Sequence, residues 1–281
     1  MANKSIRWIF NFSKWMPSES DILLATACIQ SEEKDRLAKF VFNKDFKSSL
    51  VGRLMMRKFI NQITSTPYNE IKFGRDDKGK PILINPAPDK TIKLAFNVSH
   101  HGNYVVLAGE VGNSLLGVDV MKLEYSGTKS LSEYFRIMKR PFADMEWAEI
   151  KGSGSEKEQI AMFCRHWCLK ESYVKAIGVG ITINLQDICF KINTPVLKKD
   201  SLVADTELFV SNIKQNWRFE ESLIDNEHCV AVALCNDENL DEENNIIFKE
   251  LQFSDIVENA IPLLEYDEAY CKQFFEKSYA P

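Results

Sequence analysis

Phe163-Cys164-Arg165-His166-Trp167-Cys168-Leu169-Lys170-Glu171-Ser172-Tyr173-Val174-Lys175-Ala176-Ile177 is the stretch on which the reading of this chain turns. Ile160, Phe163, Trp167, Val174 and Ile177 recur at helical spacing, so a helix with an apolar stripe is predicted. Between Trp167 and Val174 the stripe is occupied by Lys170 and Glu171. Burying a lone carboxylate costs several kcal/mol, so Glu171 is expected either to meet Lys175 one turn on or to bind a cation. Ser155 followed by Glu158 makes a capping box, and Gly178 and Gly180 supply the stop.

Two series of elements are predicted around this helix. The first has a strand at Ile6 to Asn11, helices at Ser31 to Phe42 and Lys44 to Gln62, then short strands near Ile71, Ile82, Thr91 to Val98 and Tyr104 to Val111. The second has a strand at Leu115 to Val120, helical stretches at Ser130 to Ile150 and Glu156 to Ile177, then strands near Ile188, Leu208, Trp217 to Leu223 and Cys229 to Cys235. His101 to Ala108 and Glu227 to Leu234 end the two series alike. The expected fold class is α+β, with two similar lobes related by a pseudo-twofold, each a small antiparallel sheet packed with helices, and a ligand cleft between the lobes. The expected boundaries are an N-terminal lobe over 1–113, a C-terminal lobe over 114–235, and an acidic linker with a C-terminal extension over 236–281. Within the last, Asn236 to Asn245 reads as a loop, Ile246 to Phe253 as a strand and Ser254 to Ile261 as a short helix that packs back on the body.

The 281 residues are 45% apolar and 27% charged, an ordinary globular composition. No apolar run reaches the roughly 18 residues of a membrane span, and Arg7, Asn11 and Lys14 interrupt any signal-peptide core. A cytoplasmic protein with no membrane partner is expected. The seven cysteines are scattered and odd in number, which suits reduced thiols. Cys164, His166 and Cys168 do not read as zinc ligands, because on a helix His166 points away from both cysteines. The net charge of −5 hides an asymmetry, since 236–281 holds 12 acids against 3 bases and the rest of the chain is mildly basic. That body suits anionic ligands or an acidic protein partner, and it falls short of a nucleic-acid-binding composition.

In Gly117-Val118-Asp119-Val120-Met121, alternation places Gly117, Asp119 and Met121 on one strand face. An acid on such a strand is held either by a backbone donor or arginine, or by a metal. With Glu171 in a similar setting, paired ligation of Mg²⁺ is the preferred reading, because a hard cation takes carboxylate oxygens and fills its octahedron with waters and phosphate oxygens. Gly74 to Pro81 is a glycine- and proline-fixed turn carrying Arg75, Lys78 and Lys80, either a solvated hairpin or a phosphate site. Asn97-Val98-Ser99-His100-His101-Gly102 ends a strand with a hydroxyl and two histidines. Arg36, Lys44, Lys47, Arg53, Arg57 and Lys58 make the first helices basic, read as a solvated face first and as a docking surface second.

Arg75 to Pro81, Asn97-Val98-Ser99-His100, Gly117-Val118-Asp119 and Trp167-x-x-Lys170-Glu171-Ser172-x-x-Lys175 together resemble the ordered motifs of the two-lobed, surfactin-synthetase type of 4′-phosphopantetheinyl transferase. The resemblance runs from about Arg7 to Cys235 and is nearest the animal members that serve fatty acid synthase and the aminoadipate-semialdehyde dehydrogenase of lysine metabolism, Ile137-Met138-Lys139-Arg140 and the trailing extension included. It implies a holo-[acyl-carrier-protein] synthase that moves 4′-phosphopantetheine from coenzyme A to a serine of an apo carrier domain and releases adenosine 3′,5′-bisphosphate. The implied carriers are the acyl carrier domain of fatty acid synthase, a mitochondrial-type acyl carrier protein and the dehydrogenase's carrier domain. By the same resemblance Asp119 and Glu171 hold Mg²⁺, and Glu171, Lys175 and Asp119 are catalytic. Arg36, Arg75, Asp76, Asp77, Lys78, Gly79, Lys80, Asn97, Val98, Ser99, His100, Lys170, Glu171 and Lys175 bind coenzyme A, with His100 near its 3′-phosphate. The base for the serine is Glu171 or a metal-bound water. Many bacterial relatives carry a third acid where this chain has Met121, whose thioether is too soft for Mg²⁺. The alternatives are a non-catalytic coenzyme A or carrier-protein binder of the same fold, which Met121 favours, and a nucleotide-binding adaptor working through the acidic tail. A monomer is expected.

Overall fold

A computed structural model describes residues 5–85, 92–179, 183–236 and 246–280. The first residue of the strand expected at Thr91, the stop expected at Gly180 and nearly all of the expected acidic linker lie outside the described residues. The chain divides into two compact units, Met1–Val111 with Lys249–Pro281, and Gly112–Phe248.

In the first unit, β1 (Ser5–Asn11), α1 (Glu19–Ala27), α2 (Ser31–Ala38) and α3 (Asn43–Thr64) precede the hairpin of β2 (Phe73–Arg75) and β3 (Pro81–Leu83), then β4 (Leu94–His101) and β5 (Tyr104–Val111). β5 pairs antiparallel with both β1 and β4, and Gly102 takes the left-handed conformation that the tight β4–β5 turn needs. The 22-residue α3 sends Phe46, Leu50, Leu54 and Phe59 into the core, each burial contributing about 1.5–3 kcal/mol. Helix α1 has no expectation behind it, although Ser18 and Asp21 form a capping box at its start.

The second unit opens on β6 (Ser114–Lys122), continues through α4 (Leu131–Ile137), α5 (Asp144–Gly152) and α6 (Glu156–Ile177), and ends in β7 (Ile188–Lys191), β8 (Glu207–Val210), β9 (Ile213–Gln215), β10 (Arg218–Asp225) and β11 (His228–Asn236). The single helical stretch expected from Ser130 to Ile150 is two helices, because Pro141 lacks an amide hydrogen and disfavours helix at the residue before it. The strands form two sheets, β10-β11-β6 and β7-β8-β9, both antiparallel. The 22-residue α6 has the capping box read from Ser155 and Glu158, and ends on Gly178 in the left-handed conformation.

The chain then returns to the first unit. β12 (Lys249–Glu250) pairs parallel with β1, so that sheet is mixed rather than antiparallel, and α7 (Phe253–Val257) and α8 (Glu268–Glu276) follow. Ile256 and Phe274 enter the core, where Phe274 lies 5.0 Å from Phe46. The carbonyls of Ser278 and Tyr279 accept the Asn43 and Lys44 amide hydrogens at the uncapped start of α3.

The basic face expected on the early helices does not form. Lys47, Arg53, Arg57 and Lys58 are buried and internally partnered. Lys47 donates to the Trp15 carbonyl, Arg57 to the carbonyls of Tyr68 and Ile71, Arg53 pairs with Glu33 at 2.8 Å, and Lys58 with Glu258 at 2.7 Å. Both expected readings of these four cations, solvated face and docking surface, are therefore wrong. A cation on a long stem is drawn inward when fixed acceptors wait for it.

Candidate active site

The second unit gathers the two acids and one of the lysines singled out from the sequence. Asp119 lies on β6 and is 6% exposed, on the face that meets α6. Its Oδ1 accepts a 2.6 Å ion-pair contact from Lys175 Nζ, and its main-chain carbonyl accepts from Cys168 Sγ at 3.1 Å. The partner of Lys175 is thus the strand aspartate, not Glu171 one turn away. Glu171, half-buried on the same helix, has its pKa pushed up by burial first and by the Asp119 charge second, with Lys175 opposing both. The Asp119 and Glu171 carboxylates, with the Lys175 ammonium on Asp119, form an oxygen-donor set suited to a hard cation. Met121 is partly buried against the apolar core and adds no ligand. Among the described residues no group of three His, Cys, Asp or Glu side chains is placed to hold a metal, so a cation here would complete its shell with water or phosphate.

Lys170 does not join them. Its buried ammonium pairs with Glu146 Oε2 at 2.8 Å and donates to the Leu185 and Ile188 carbonyls, away from Asp119, which corrects its reading as a coenzyme A contact. Glu146 went unread in the sequence. Its signal is the position three residues after Ala143, where its carboxylate accepts the Ala143 amide hydrogen at 2.9 Å and caps α5.

In the first unit, Arg36, Arg53 and Arg75 share a neighbourhood with Glu33. The Arg75 guanidinium is pulled down by burial and then by Arg36, with Glu33 opposing, and Arg53 is pulled down by burial, with Glu33 opposing and Arg75 and Arg36 adding to the fall. An excess of guanidinium over carboxylate favours anions. In the β2–β3 turn, Asp76 Oδ1 accepts the amide hydrogens of Lys78 at 3.0 Å and Lys80 at 2.8 Å, so this aspartate, read as a ligand contact, shapes the turn. Gly79 takes φ +84° there, and Arg75 donates to its carbonyl at 2.6 Å. Asp77 and Lys78 are exposed, and burial depresses the Lys80 amine. Strand alternation splits the β4 motif: Asn97 and Ser99 are buried on one face, while Val98 and the exposed His100 share the other.

The family model described as 4′-phosphopantetheinyl transferase, N-terminal, matches residues 13–112, and that of the 4′-phosphopantetheinyl transferase superfamily matches 115–233. The chain belongs to the 4′-phosphopantetheinyl transferase superfamily. Among similar proteins, the L-aminoadipate-semialdehyde dehydrogenase-phosphopantetheinyl transferase of Xenopus laevis is 38% identical over 99% of this chain and 94% of its own length. Its counterpart in Homo sapiens is 38% identical over 95% of this chain and 90% of its own. A 4′-phosphopantetheinyl transferase of Bacillus subtilis is 27% identical over 59% of this chain and 67% of its own. The transferase is therefore an enzyme that moves phosphopantetheine to carrier proteins, and the binding-only alternative falls away.

Proposed function

We propose that the transferase moves 4′-phosphopantetheine from coenzyme A to a serine hydroxyl of an apo carrier domain, with Mg²⁺ held by Asp119 and Glu171. The observation that carries this reading is the meeting of Asp119, Lys175 and Glu171 across β6 and α6. Bound there, Mg²⁺ supplies charge neutralisation at the pyrophosphate. Lys175, released from Asp119, places its ammonium on a pyrophosphate oxygen, and the Glu171 carboxylate accepts the serine proton. The serine oxygen bonds to the phosphorus carrying pantetheine as the bond to the bridging oxygen breaks, and adenosine 3′,5′-bisphosphate leaves. Positioning and charge neutralisation suffice for such a transfer. Arg36, Arg75 and Lys80 suit the nucleotide phosphates, supported by the guanidinium excess around Glu33.

Mass spectrometry of an apo acyl carrier protein incubated with the chain, coenzyme A and Mg²⁺ tests the reading. A gain of one phosphopantetheinyl group, lost with Asp119→Ala, is the expected result; transfer undiminished by that substitution would refute the metal site.

The aminoadipate-semialdehyde dehydrogenase in the relatives' printed names makes its carrier domain the first partner to try, with fatty acid synthase and mitochondrial-type carriers next. With Lys47 and Arg53 buried, the docking proposal narrows to the exposed Arg136, Ile137, Lys139, Arg140 and Met145, apolar side chains among cations. Reversing Lys139 and Arg140 to glutamate should raise KM for the carrier about tenfold and flatten its salt dependence, leaving KM for coenzyme A in place. Unchanged carrier kinetics would move the docking surface elsewhere. A cytoplasmic monomer is the reading of location and state, supported by seven cysteines that form no disulfide with one another.

A further inference from the structure

Behind α6, on the side turned from β6, lies a buried polar network that the proposed chemistry does not use. His166 and Lys170, one helical turn apart, both reach Glu146 of α5, which has no exposed surface. Lys170 Nζ meets Glu146 Oε2 at 2.8 Å and lies 5.5 Å from the ring centre of Phe142 and 5.9 Å from that of Phe190. His166 Nδ1 is 3.6 Å from Glu146 Oε1, and its Nε2 is 3.2 Å from Glu149 Oε2. Glu146 Oε1 also accepts the Phe190 amide hydrogen of β7 at 3.1 Å. One carboxylate thus ties the start of α5, the backbone of β7 and, through Lys170, α6, with the His166 ring alongside but not hydrogen-bonded to it.

We propose that Glu146 is a positioning residue which, through Lys170, fixes the rotation of α6 and so aims Glu171 and Lys175 at Asp119. The proposal rests on the transferase reading of that site. Stability alone does not call for the network, because a buried ion pair exchanged for well-packed apolar groups is often neutral or stabilising. What an apolar contact lacks is direction: a carboxylate with fixed donors accepts one azimuth of the helix, whereas a greasy interface tolerates sliding. The lever is short. Glu171 directly follows Lys170, and side-chain tips stand about 5–6 Å from a helix axis, so a rotation of roughly 10° displaces the Glu171 carboxylate by about 1 Å. A misplacement of that size can cost about 100-fold in rate.

The test uses Glu146→Gln, Lys170→Met, the double variant and the milder Glu146→Asp, with Tm, kcat and KM for coenzyme A measured in the full chain. Each single charge deletion should lower Tm and kcat together, since a buried charge is left without its partner. The double variant should regain most of the lost Tm while kcat stays at least tenfold below the parent with KM within about threefold. Glu146→Asp keeps the charge but shortens the reach, and should lower kcat with little loss of Tm. Recovery of kcat in step with Tm in the double variant, or parental kcat in Glu146→Asp, would overturn the positioning role. An inactive parent chain would instead refute the transferase reading itself, so the two failures are told apart.

Discussion

Replacing Gly117 by alanine is expected to unseat α6 and remove most of the transferase activity. A Cβ at this position of β6 would stand 2.0 Å from the Ser172 carbonyl oxygen and 2.5 Å from the Ala176 backbone nitrogen. Both obstacles are backbone, so no rotamer change relieves the clash, and α6 must retreat by more than 1 Å. Asp119 lies two residues along the same strand face, and the 2.6 Å contact to Lys175 does not survive such a shift. A rate loss of about 100-fold is expected from the displacement. Overpacking adds a loss of about 1–3 kcal/mol in stability. Thermal melting with the carrier-modification rate checks this; a Gly117→Ala protein within twofold of the parent in rate would show that α6 and β6 have slack.

Deleting residues 249–280 is expected to leave the first unit unfolded rather than merely weakened. The deletion removes Leu251, Ile256, Cys271 and Phe274 from its core and strips Phe46 of its aromatic neighbours. Large-to-small changes at single core positions cost about 2–5 kcal/mol each, and the whole stability of a domain is about 5–15 kcal/mol. The ion pairs from Lys34 to Asp267 and Lys58 to Glu258 and the carbonyl cap on α3 go as well, leaving the Lys58 ammonium buried without an acid. Limited proteolysis should find Met1–Val111 open in the deletion variant while Gly112–Phe248 stays protected. Phe274→Ala is the graded version, with a loss of about 3–5 kcal/mol. A first unit that resists protease without the extension would contradict this account.

Where local chemistry decides, the sequence was legible. The bounds of α6 follow from Ser155, Glu158 and Gly178, and the alternation around Asp119 puts it on the face that meets Glu171's helix. Where a partner arrives from far along the chain, the sequence was silent. Lys58 reads as solvated because Glu258 is 200 residues away, and helical spacing offers Glu171 as one possible partner of Lys175 although the strand aspartate holds it. Lys170 illustrates the same limit inside the site: its neighbour Glu171 faces β6, but a step of one residue turns a side chain about 100° around the helix, onto Glu146. Helix α1 escaped because its buried residues include Ala25, Thr26 and Ala27, too small and mixed to draw a stripe.

The parallel pairing of β12 with β1 has a consequence for how the chain leaves the ribosome. The second unit is one continuous segment, complete once β11 has emerged, whereas the first must hold β1 to β5 in waiting while 112–248 are synthesised. Its Trp15, Phe46 and Phe253 come together only at the end of synthesis. At about 5–20 residues per second that wait lasts several seconds or more. Nascent chains should therefore lean on chaperones through their oldest residues, and heritable damage to the extension should surface as low abundance rather than as a slow enzyme.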